Sequence, residues 1–207
     1  MLEELCPDGD DPVGIAIAGV IDPVSGQLSS ANIPSVSGSC LADELQLRLE
    51  RPVHLVNDAD AFALAETRWG AANGHRSVMA IILGTGVGGA IVLNGRLHTG
   101  HAGLTGEWGH GPAHALRTAE SLPTLACSCG QVGCVDTLGG ARGLERLYRH
   151  VHGTAENSLR VVADWESGDA RASRVIDIWL DIVGGALAAA INIVGPSIVP
   201  VGGGLAS

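Results

Sequence analysis

The chain has 207 residues, 46% of them hydrophobic, with 22 acidic and 12 basic residues and a formal net charge of −10. This length and apolar content predict one large domain or two small ones with a substantial buried core. The acidic balance offers nucleic acid and anionic membranes no electrostatic attraction, so we expect neither as a partner.

Strands and helices alternate in the first third of the chain. Short apolar runs bounded by Pro or Asp predict buried strands, and amphipathic or Ala-rich runs predict helices. The predicted elements are a strand at residues 13–20, a helix at 41–49, a strand at 53–56, a helix at 59–69 and a boundary at 71–75.

The remainder of the chain begins with strands and ends with helices. Asn94-Gly95 predicts the turn of a hairpin, because this pair favours the tight turns that join antiparallel strands. Residues 100–133 are rich in Gly, His and Pro and lack periodicity, which predicts a long functional loop. The other predicted elements are strands at 78–83, 89–93 and 197–201 and helices at 139–150, 159–167 and 172–194. This mixture indicates an α/β protein.

Residues 175–201 form the most apolar region, but Asp177, Asp181 and Pro196 interrupt it. We interpret the region as a buried helix followed by a strand rather than a membrane span. Its core face is predicted, at helical spacing, to consist of Ile176, Leu180, Val183 and Leu187. The acidic start at residues 1–4 is unlike a secretory signal, which favours a cytoplasmic protein.

Three of the five cysteines cluster in the predicted loop, close to a histidine, whereas Cys6 and Cys40 stand alone. An odd number of cysteines with tight clustering favours a metal site over a disulfide framework. Three thiolates and one imidazole make the complete tetrahedral shell of a structural zinc site, and the metal would order the loop. The alternative is a set of ordinary buried thiols. The predicted ligands are His110, Cys127, Cys129 and Cys134.

Asn57-Asp58 follows the predicted strand at 53–56 and precedes a helix. The carboxyl end of a strand in an open α/β sheet is where ligands usually bind. Asp58 there would accept a proton from a substrate hydroxyl, with Asn57 hydrogen-bonding the same substrate. The alternative is that Asp58 only caps the helix, and the local sequence favours this cap.

Residues 84–89 (GTGVGG) form a glycine-rich turn between two predicted strands. The turn is neither a dinucleotide fingerprint nor a P-loop, since no helix follows it and it lacks Lys. Its successive N–H groups and the Thr85 hydroxyl would still suit an anion, or the segment is a plain hairpin. Gly202-Gly203-Gly204 is a weaker candidate of the same kind.

Further polar candidates lie beside the metal ligands. Glu107 and His110 are three residues apart, and Asp136 follows the last cysteine of the cluster by two. Carboxylate and imidazole groups can form hydrogen bonds with neighbouring hydroxyls of a sugar, and a metal-anchored loop would hold these groups rigid. Taken singly, each acidic residue is more often a solvated charge.

A resemblance to the ROK family of repressors and sugar kinases rests on five segments in this order: VNDADAFALAE, ILGTGVGGAIVLNGRL, GEWGH, CSCGQVGCVD and VPVGGGLA. It covers the chain from Val13 onward, and the cysteine segment is its most specific part. The resemblance implies an α/β fold of the actin-like ATPase type, also called hexokinase or ribonuclease H-like. Residues 1–72 would be the remnant of a small N-terminal domain, and residues 73–207 a large domain with the zinc-bound loop.

Carried over onto the matching positions, the resemblance implies Asp58 as general base and Asn57 as a sugar ligand. Glu107 and His110 would contact sugar hydroxyls, and ATP with Mg²⁺ would bind nearby. Family members usually have Glu where this chain has Asp136. The Asp136 side chain is shorter by one methylene, which withdraws its carboxylate from the expected contact with the sugar. The residues expected to face the nucleotide are Gly84, Thr85 and Gly86 at the phosphates and Gly202 and Gly203 at the adenosine.

The resemblance also implies a chain that is incomplete at both ends. The family opens with an Asp-x-Gly-Gly-Thr phosphate-binding hairpin, which no segment before Val13 matches, and its last helices would follow Gly204. Phosphoryl transfer depends on positioning and charge neutralisation, so we expect little or no kinase activity from these 207 residues alone.

The expected substrate is a hexose or an amino sugar. The stretches GEWGHGPA and CGQVGCVDTLGGARGLERL are similar to those of family members that phosphorylate the 6-hydroxyl of N-acetylglucosamine. Glucose, fructose and N-acetylmannosamine stay open as substrates. The alternatives in function are a fragment of a sugar-sensing repressor and a purely structural zinc-bound fragment. A homodimer is a further expectation from the family.

Overall fold

The computed structural model describes residues 11–30 and 33–206, so the acidic start, the isolated Cys6 and Ser207 lie outside the described residues. The strands are β1 Val13–Ile17, β2 Val20–Ile21, β3 Leu28–Ser29, β4 Val53–Asn57, β5 Ser77–Leu83, β6 Val87–Leu93, β7 Arg96–Leu97 and β8 Val201–Gly202. The α-helices are α1 Leu41–Leu49, α2 Asp58–Trp69, α3 Asp136–Gly139, α4 Ala141–His152, α5 Ser158–Glu166 and α6 Ala170–Val194. The predicted α/β character is confirmed.

The largest sheet has the strand order β7-β6-β5-β8. Its central strand β5 pairs antiparallel with β6 over their full lengths and parallel with β8. The predicted hairpin at Asn94-Gly95 is confirmed by the antiparallel pairing of β6 with β7. The final strand, expected at residues 197–201, is reduced to β8 and an isolated bridge between Ile198 and Val78.

A second sheet pairs β1 with β4 in parallel, so that their carboxyl ends, Ile17 and Asn57, are neighbours. The predicted strand at residues 13–20 is wrong at its end, because the chain bends there and continues as β2, which pairs with β3. Gly19 lies at the bend with φ of 148°, and a Cβ atom there would lie 2.8 Å from the carbonyl oxygen of Ser29. Only glycine fits this bend.

Two hydrophobic clusters fill the space between these elements. One cluster packs α2 on β5 and β6, and its buried members are Ala59, Ala63, Ala72, Val78, Ala80, Ala90 and Val92. The small alanine side chains let the helix approach the sheet closely. The other cluster packs the four helices α3, α4, α5 and α6 together through residues such as Leu138, Leu147, Val161 and Ile178. The first cluster includes residues from both sides of residue 72. The predicted domain division there stays a prediction.

Helix α6 is buried only in its first half. Val175, Ile178 and Ile182 pack against α4 and α5, whereas Ile193 near the end is 86% exposed. The expectation of a buried helix is therefore confirmed only for its first half. The expected core position of Leu180 is wrong, because Leu180 is 47% exposed. By length and composition alone α6 would be able to cross a membrane, a test that core helices of soluble proteins also pass.

Candidate active site

The residue that caps α2 is Asn57, and not Asp58. Asn57 ends β4 in an extended conformation, and its Oδ1 accepts hydrogen bonds from the N–H groups of Ala59 and Asp60 at 2.8 and 3.3 Å. Its Nδ2 donates to the carbonyl oxygen of Gly19 at 2.8 Å, which joins the cap to the bend after β1. The alternative that Asp58 is the helix cap is therefore wrong, and Asp58 lies exposed in the first turn.

A cavity of about 180 Å³ lies beside this cap, at the carboxyl end of β4. Its polar lining includes Asn57, Asp60, Thr105 and Glu107, and aliphatic side chains form much of the remaining wall. Asp58 does not line the cavity, but its carboxylate is near enough to raise the pKa of both Asp60 and Glu107. The predicted base, Asp58, therefore lies next to the cavity.

Asp60 and Glu107 have perturbed acidities. Burial raises the pKa of Asp60 from 3.8 to about 6, and the charges of Glu107 and Asp58 add to this effect. Burial also raises the pKa of Glu107, with Asp136 and Asp58 adding to the shift and His110 opposing it. Carboxylates this close disfavour one another's ionised forms, so the cavity takes up a proton just below neutral pH.

Replacing Asp60 with asparagine is expected to stabilise the protein at about pH 7 and not at about pH 4. Because its folded pKa is raised above 3.8, to about 6, folded Asp60 keeps its proton over a range in which the unfolded chain loses it. Wild-type stability therefore falls as the pH rises from about 4 to about 6. The shift is equivalent to about 3 kcal/mol, which solvent screening of this half-buried group reduces to about 1 kcal/mol.

Urea unfolding of both proteins across this pH range measures the difference. The exposed Asp43 at the start of α1 offers a control, because Asp43→Asn makes the same chemical change away from the cavity. A stability difference between wild type and Asp60→Asn that is the same at every pH would contradict the assigned cause.

The four predicted metal ligands converge in the loop. The donor atoms of His110, Cys127, Cys129 and Cys134 all lie within 4.8 Å of one another. Cys127 Sγ is 3.4 Å from His110 Nδ1, and Cys129 Sγ is 3.7 Å from Cys134 Sγ. Zinc–sulfur bonds of about 2.3 Å at tetrahedral angles place two sulfurs about 3.8 Å apart. The four side chains therefore fit a tetrahedral zinc ion.

His110 joins the metal cluster to the cavity. Its Nδ1 faces the thiol of Cys127, and its Nε2 lies 3.4 Å from Oε2 of Glu107. A carboxylate on the second ring nitrogen sets the tautomer and the ring orientation of a metal-binding histidine. The position of Glu107, which lines the cavity, is therefore tied to that of the metal site.

Asp136 contacts the glycine-rich turn. Its Oδ1 accepts a hydrogen bond from the N–H of Val87 at 3.0 Å, and its Oδ2 lies 3.9 Å from Cys127 Sγ. Trp108 holds the same strand, because its Nε1 donates to the carbonyl oxygen of Gly88 at 2.8 Å. Asp136, for which a contact with the sugar was expected, thus accepts a hydrogen bond from the backbone of the turn and links the turn to the Cys₃His cluster.

The two glycine-rich segments that were expected to face a nucleotide touch each other. Gly203 has φ of 96°, and a Cβ atom there would lie 2.9 Å from the backbone nitrogen of Gly84, so this approach requires glycine. On its other side the turn meets α4. The N–H of Ala141 donates to the carbonyl oxygen of Gly84 at 2.7 Å, and that of Arg142 to Thr85 at 3.4 Å. The turn therefore lies between Gly203 and the first turn of α4.

Two residues of this site were missed by the sequence analysis. Asp60 follows Asn57 by three residues, which puts both on one face of α2, and this spacing is a signal that the sequence contains. Trp108 offers no such signal, because its indole reaches a strand that is 20 residues away in the chain.

Comparison with known proteins extends these observations. A family model described as the ROK family matches residues 8–207. An N-acetyl-D-glucosamine kinase from Citrobacter koseri is 40% identical over 198 residues, which are 94% of this chain and 65% of the relative. The present chain thus spans less than two thirds of the length of that curated relative.

Two solved structures are similar over nearly the whole chain. A ROK hexokinase from Thermus thermophilus has a TM-score of 0.79 and 34% identity, and the match covers 94% of this chain and 63% of that one. A ROK family glucokinase from Streptomyces griseus, in complex with glucose and AMPPNP, has a TM-score of 0.78 and 28% identity over 99% of this chain and 71% of that one. These similarities confirm the predicted fold of the actin-like ATPase type. Since the family model matches almost every residue, the chain belongs to the ROK family.

Proposed function

We propose that this chain is part of an ATP-dependent kinase that phosphorylates the 6-hydroxyl of N-acetylglucosamine. The observation that carries the proposal is the convergence of Asn57, Asp60 and Glu107 on one cavity beside Asp58. The name of the Citrobacter koseri relative supports the acetylated sugar, and the two ROK structures support a hexose as the substrate class.

In this proposal Asp58 accepts the proton of the sugar hydroxyl while the hydroxyl oxygen attacks the γ-phosphorus of ATP. The bond from that phosphorus to the β–γ bridging oxygen breaks, and ADP leaves. Asp58 suits this role because Asn57 makes the cap and the Asp58 side chain stays exposed, with its Oδ1 accepting a hydrogen bond from the N–H of Ala59 at 3.0 Å. Glu107 would hold the sugar hydroxyls, together with the second Nδ2 hydrogen of Asn57 and with His110 Nε2, which lies beside Glu107.

The same proposal assigns the nucleotide to the two glycine-rich segments. The N–H groups of Gly84 and Gly86 and the Thr85 hydroxyl would receive the phosphates together with Mg²⁺, and Gly202-Gly203 the adenosine. Asp136 would support this turn through Val87. The zinc would be structural, and the protein cytoplasmic. The alternative of a repressor fragment is not favoured, because the curated relatives carry kinase names.

Phosphorylation rates with four sugars test the proposal. The kcat/KM for N-acetylglucosamine is expected to exceed those for glucose, fructose and N-acetylmannosamine by about tenfold or more. The physical reason is that a site built to hydrogen-bond a substrate amide leaves its polar groups unpaired when the amide is absent or misplaced.

The assay measures ADP release by this chain and by a hybrid that adds the segments of the Citrobacter koseri relative lying beyond the aligned 198 residues. The relative itself is the positive control. A preference for an unacetylated hexose would overturn the assigned substrate. A hybrid that phosphorylates none of the sugars while the relative is active would overturn the assigned reaction.

A further inference from the structure

Helix α4 carries a strip of exposed arginines. Arg142, Arg146 and Arg149 recur at intervals of four and three residues, which puts them on one face of the helix. Together with Glu145 they line a groove of about 230 Å³. All 12 basic residues of the chain are arginines, so that one quarter of the positive side chains lie in this strip, in a chain with a net charge of −10. Such local concentration of positive charge favours an anionic ligand.

The internal contacts leave part of this charge available. Arg146 donates from Nη1 to the carbonyl oxygen of Thr137 at 2.8 Å, and Glu145 accepts a hydrogen bond from the N–H of Ser158 at 3.1 Å. Over residues 11–30 and 33–206, the guanidinium groups of Arg142 and Arg149 make no hydrogen bond or ion pair. Two guanidinium groups are therefore free to bind a ligand.

Of these two, only Arg142 lies at the glycine-rich turn. Its own N–H donates to the carbonyl oxygen of Thr85, and Ala141 beside it donates to that of Gly84. Arg149 is seven residues further along the helix, which is about 10 Å at 1.5 Å per residue. The strip thus begins at the turn and runs away from it.

We propose that Arg142 binds the phosphates of ATP and supplies the positive side chain that the glycine-rich turn itself lacks. This inference rests on the proposed function, because it assumes that the turn receives a nucleotide. Backbone N–H groups are neutral donors, the turn contains no cation, and the chain contains no lysine. A planar guanidinium offers paired N–H donors that match two phosphate oxygens, and it keeps its charge at every physiological pH.

Titration calorimetry with Mg-AMPPNP and with adenosine tests the inference on the 207-residue chain. Arg142→Gln is expected to weaken AMPPNP binding about tenfold or more and adenosine binding less than about twofold, because adenosine has no phosphates. Arg142→Lys, which keeps the charge without the paired geometry, is expected to fall between wild type and the glutamine variant. The sugar affinity is expected to stay the same in every variant.

Arg149→Gln is the matched control, since it removes one charge from the same strip about 10 Å from the turn, where salt screens the interaction. It is expected to change AMPPNP affinity less than about twofold. Equal losses in the two glutamine variants, equal losses for AMPPNP and adenosine, or unchanged AMPPNP binding by Arg142→Gln would each overturn the role of Arg142. A wild-type chain that binds sugar but no nucleotide would overturn this role while leaving the sugar site intact, whereas failure to bind N-acetylglucosamine would count against the proposed substrate alone.

Discussion

Replacing Asp58 with asparagine is expected to lower kcat for sugar phosphorylation by about 10²–10⁴-fold and to change the KM for the sugar by less than about threefold. The amide keeps the shape of the side chain but cannot accept the proton that leaves the attacking hydroxyl. A general base acts in the transition state, so kcat and kcat/KM should fall together. The fold should be unaffected, because the cap of α2 is made by Asn57.

The measurement is ADP release at saturating ATP over a range of sugar concentrations, made with the hybrid protein that carries the added segments of the Citrobacter koseri relative. Asp43→Asn provides a matched control, since it replaces an exposed aspartate in the first turn of another helix. It should keep the wild-type rate. If Asp58→Asn retains more than about one tenth of the wild-type kcat, the proton is accepted elsewhere and the assigned base is wrong.

Replacing Cys134 with serine is expected to abolish zinc binding and to lower Tm by roughly 8–16 °C. The thiol is 1% exposed, and burial raises its pKa to about 12, so it becomes a thiolate ligand only when a cation stabilises the charge. Losing the metal releases a loop that has few other regular contacts. A loss of about 4 kcal/mol in the free energy of unfolding corresponds to that change in Tm for a domain of this size.

Zinc content by mass spectrometry and Tm with and without a chelator measure this effect. Cys40→Ser is the control, because Cys40 is a half-buried thiol outside the cluster, and its sulfur donates a hydrogen bond to the carbonyl oxygen of Ser25. It should bind zinc as the wild type does. A wild-type protein that contains no zinc, or one whose Tm does not move when a chelator removes the metal, would exclude a structural zinc site.

The Cys₃His cluster is coupled to both halves of the proposed active site. His110 links it to Glu107 at the cavity, and Asp136 links it to the backbone of Val87 in the glycine-rich turn. Both links are single side-chain contacts, so small displacements of the predicted metal ligands would move together the groups proposed to bind the sugar and the phosphates. A zinc ion bound by these four side chains would therefore position both halves of the proposed site as well as stabilise the loop.

Residue type and spacing were sufficient to predict much of the fold. The amphipathic pattern predicted α1 at residues 41–49, where the structure has it, and the apolar runs predicted β5 and β6 to within two residues. The convergence of three cysteines and a histidine could be predicted because this set, clustered in a glycine-rich loop, is typical of a tetrahedral zinc site. These features depend mainly on the side chains themselves, and not on which segment packs against them.

Other features depended on packing between distant segments. Gly140 has an extended backbone (φ −89°, ψ −177°) that interrupts the helix expected at residues 139–150. The backbone of Gly86 occupies the space that a side chain at Gly140 would need. Leu180 lies at helical spacing with buried residues yet is exposed, since several faces of α6 are apolar and contact with α4 and α5 selects one of them. Local periodicity cannot distinguish between such faces.

The sequence by itself determined the chemical groups of the site: an amide and a carboxylate after a strand, a Cys₃His donor set and two glycine-rich segments. Tertiary structure alone decided which groups share the cavity. It makes Asn57 the cap, turns Asp60 and Glu107 towards the cavity and leaves Asp58 beside it. The reason is physical, because the rotation of α2 about its axis is set by its contacts with two sheets and not by the order of residues within the helix.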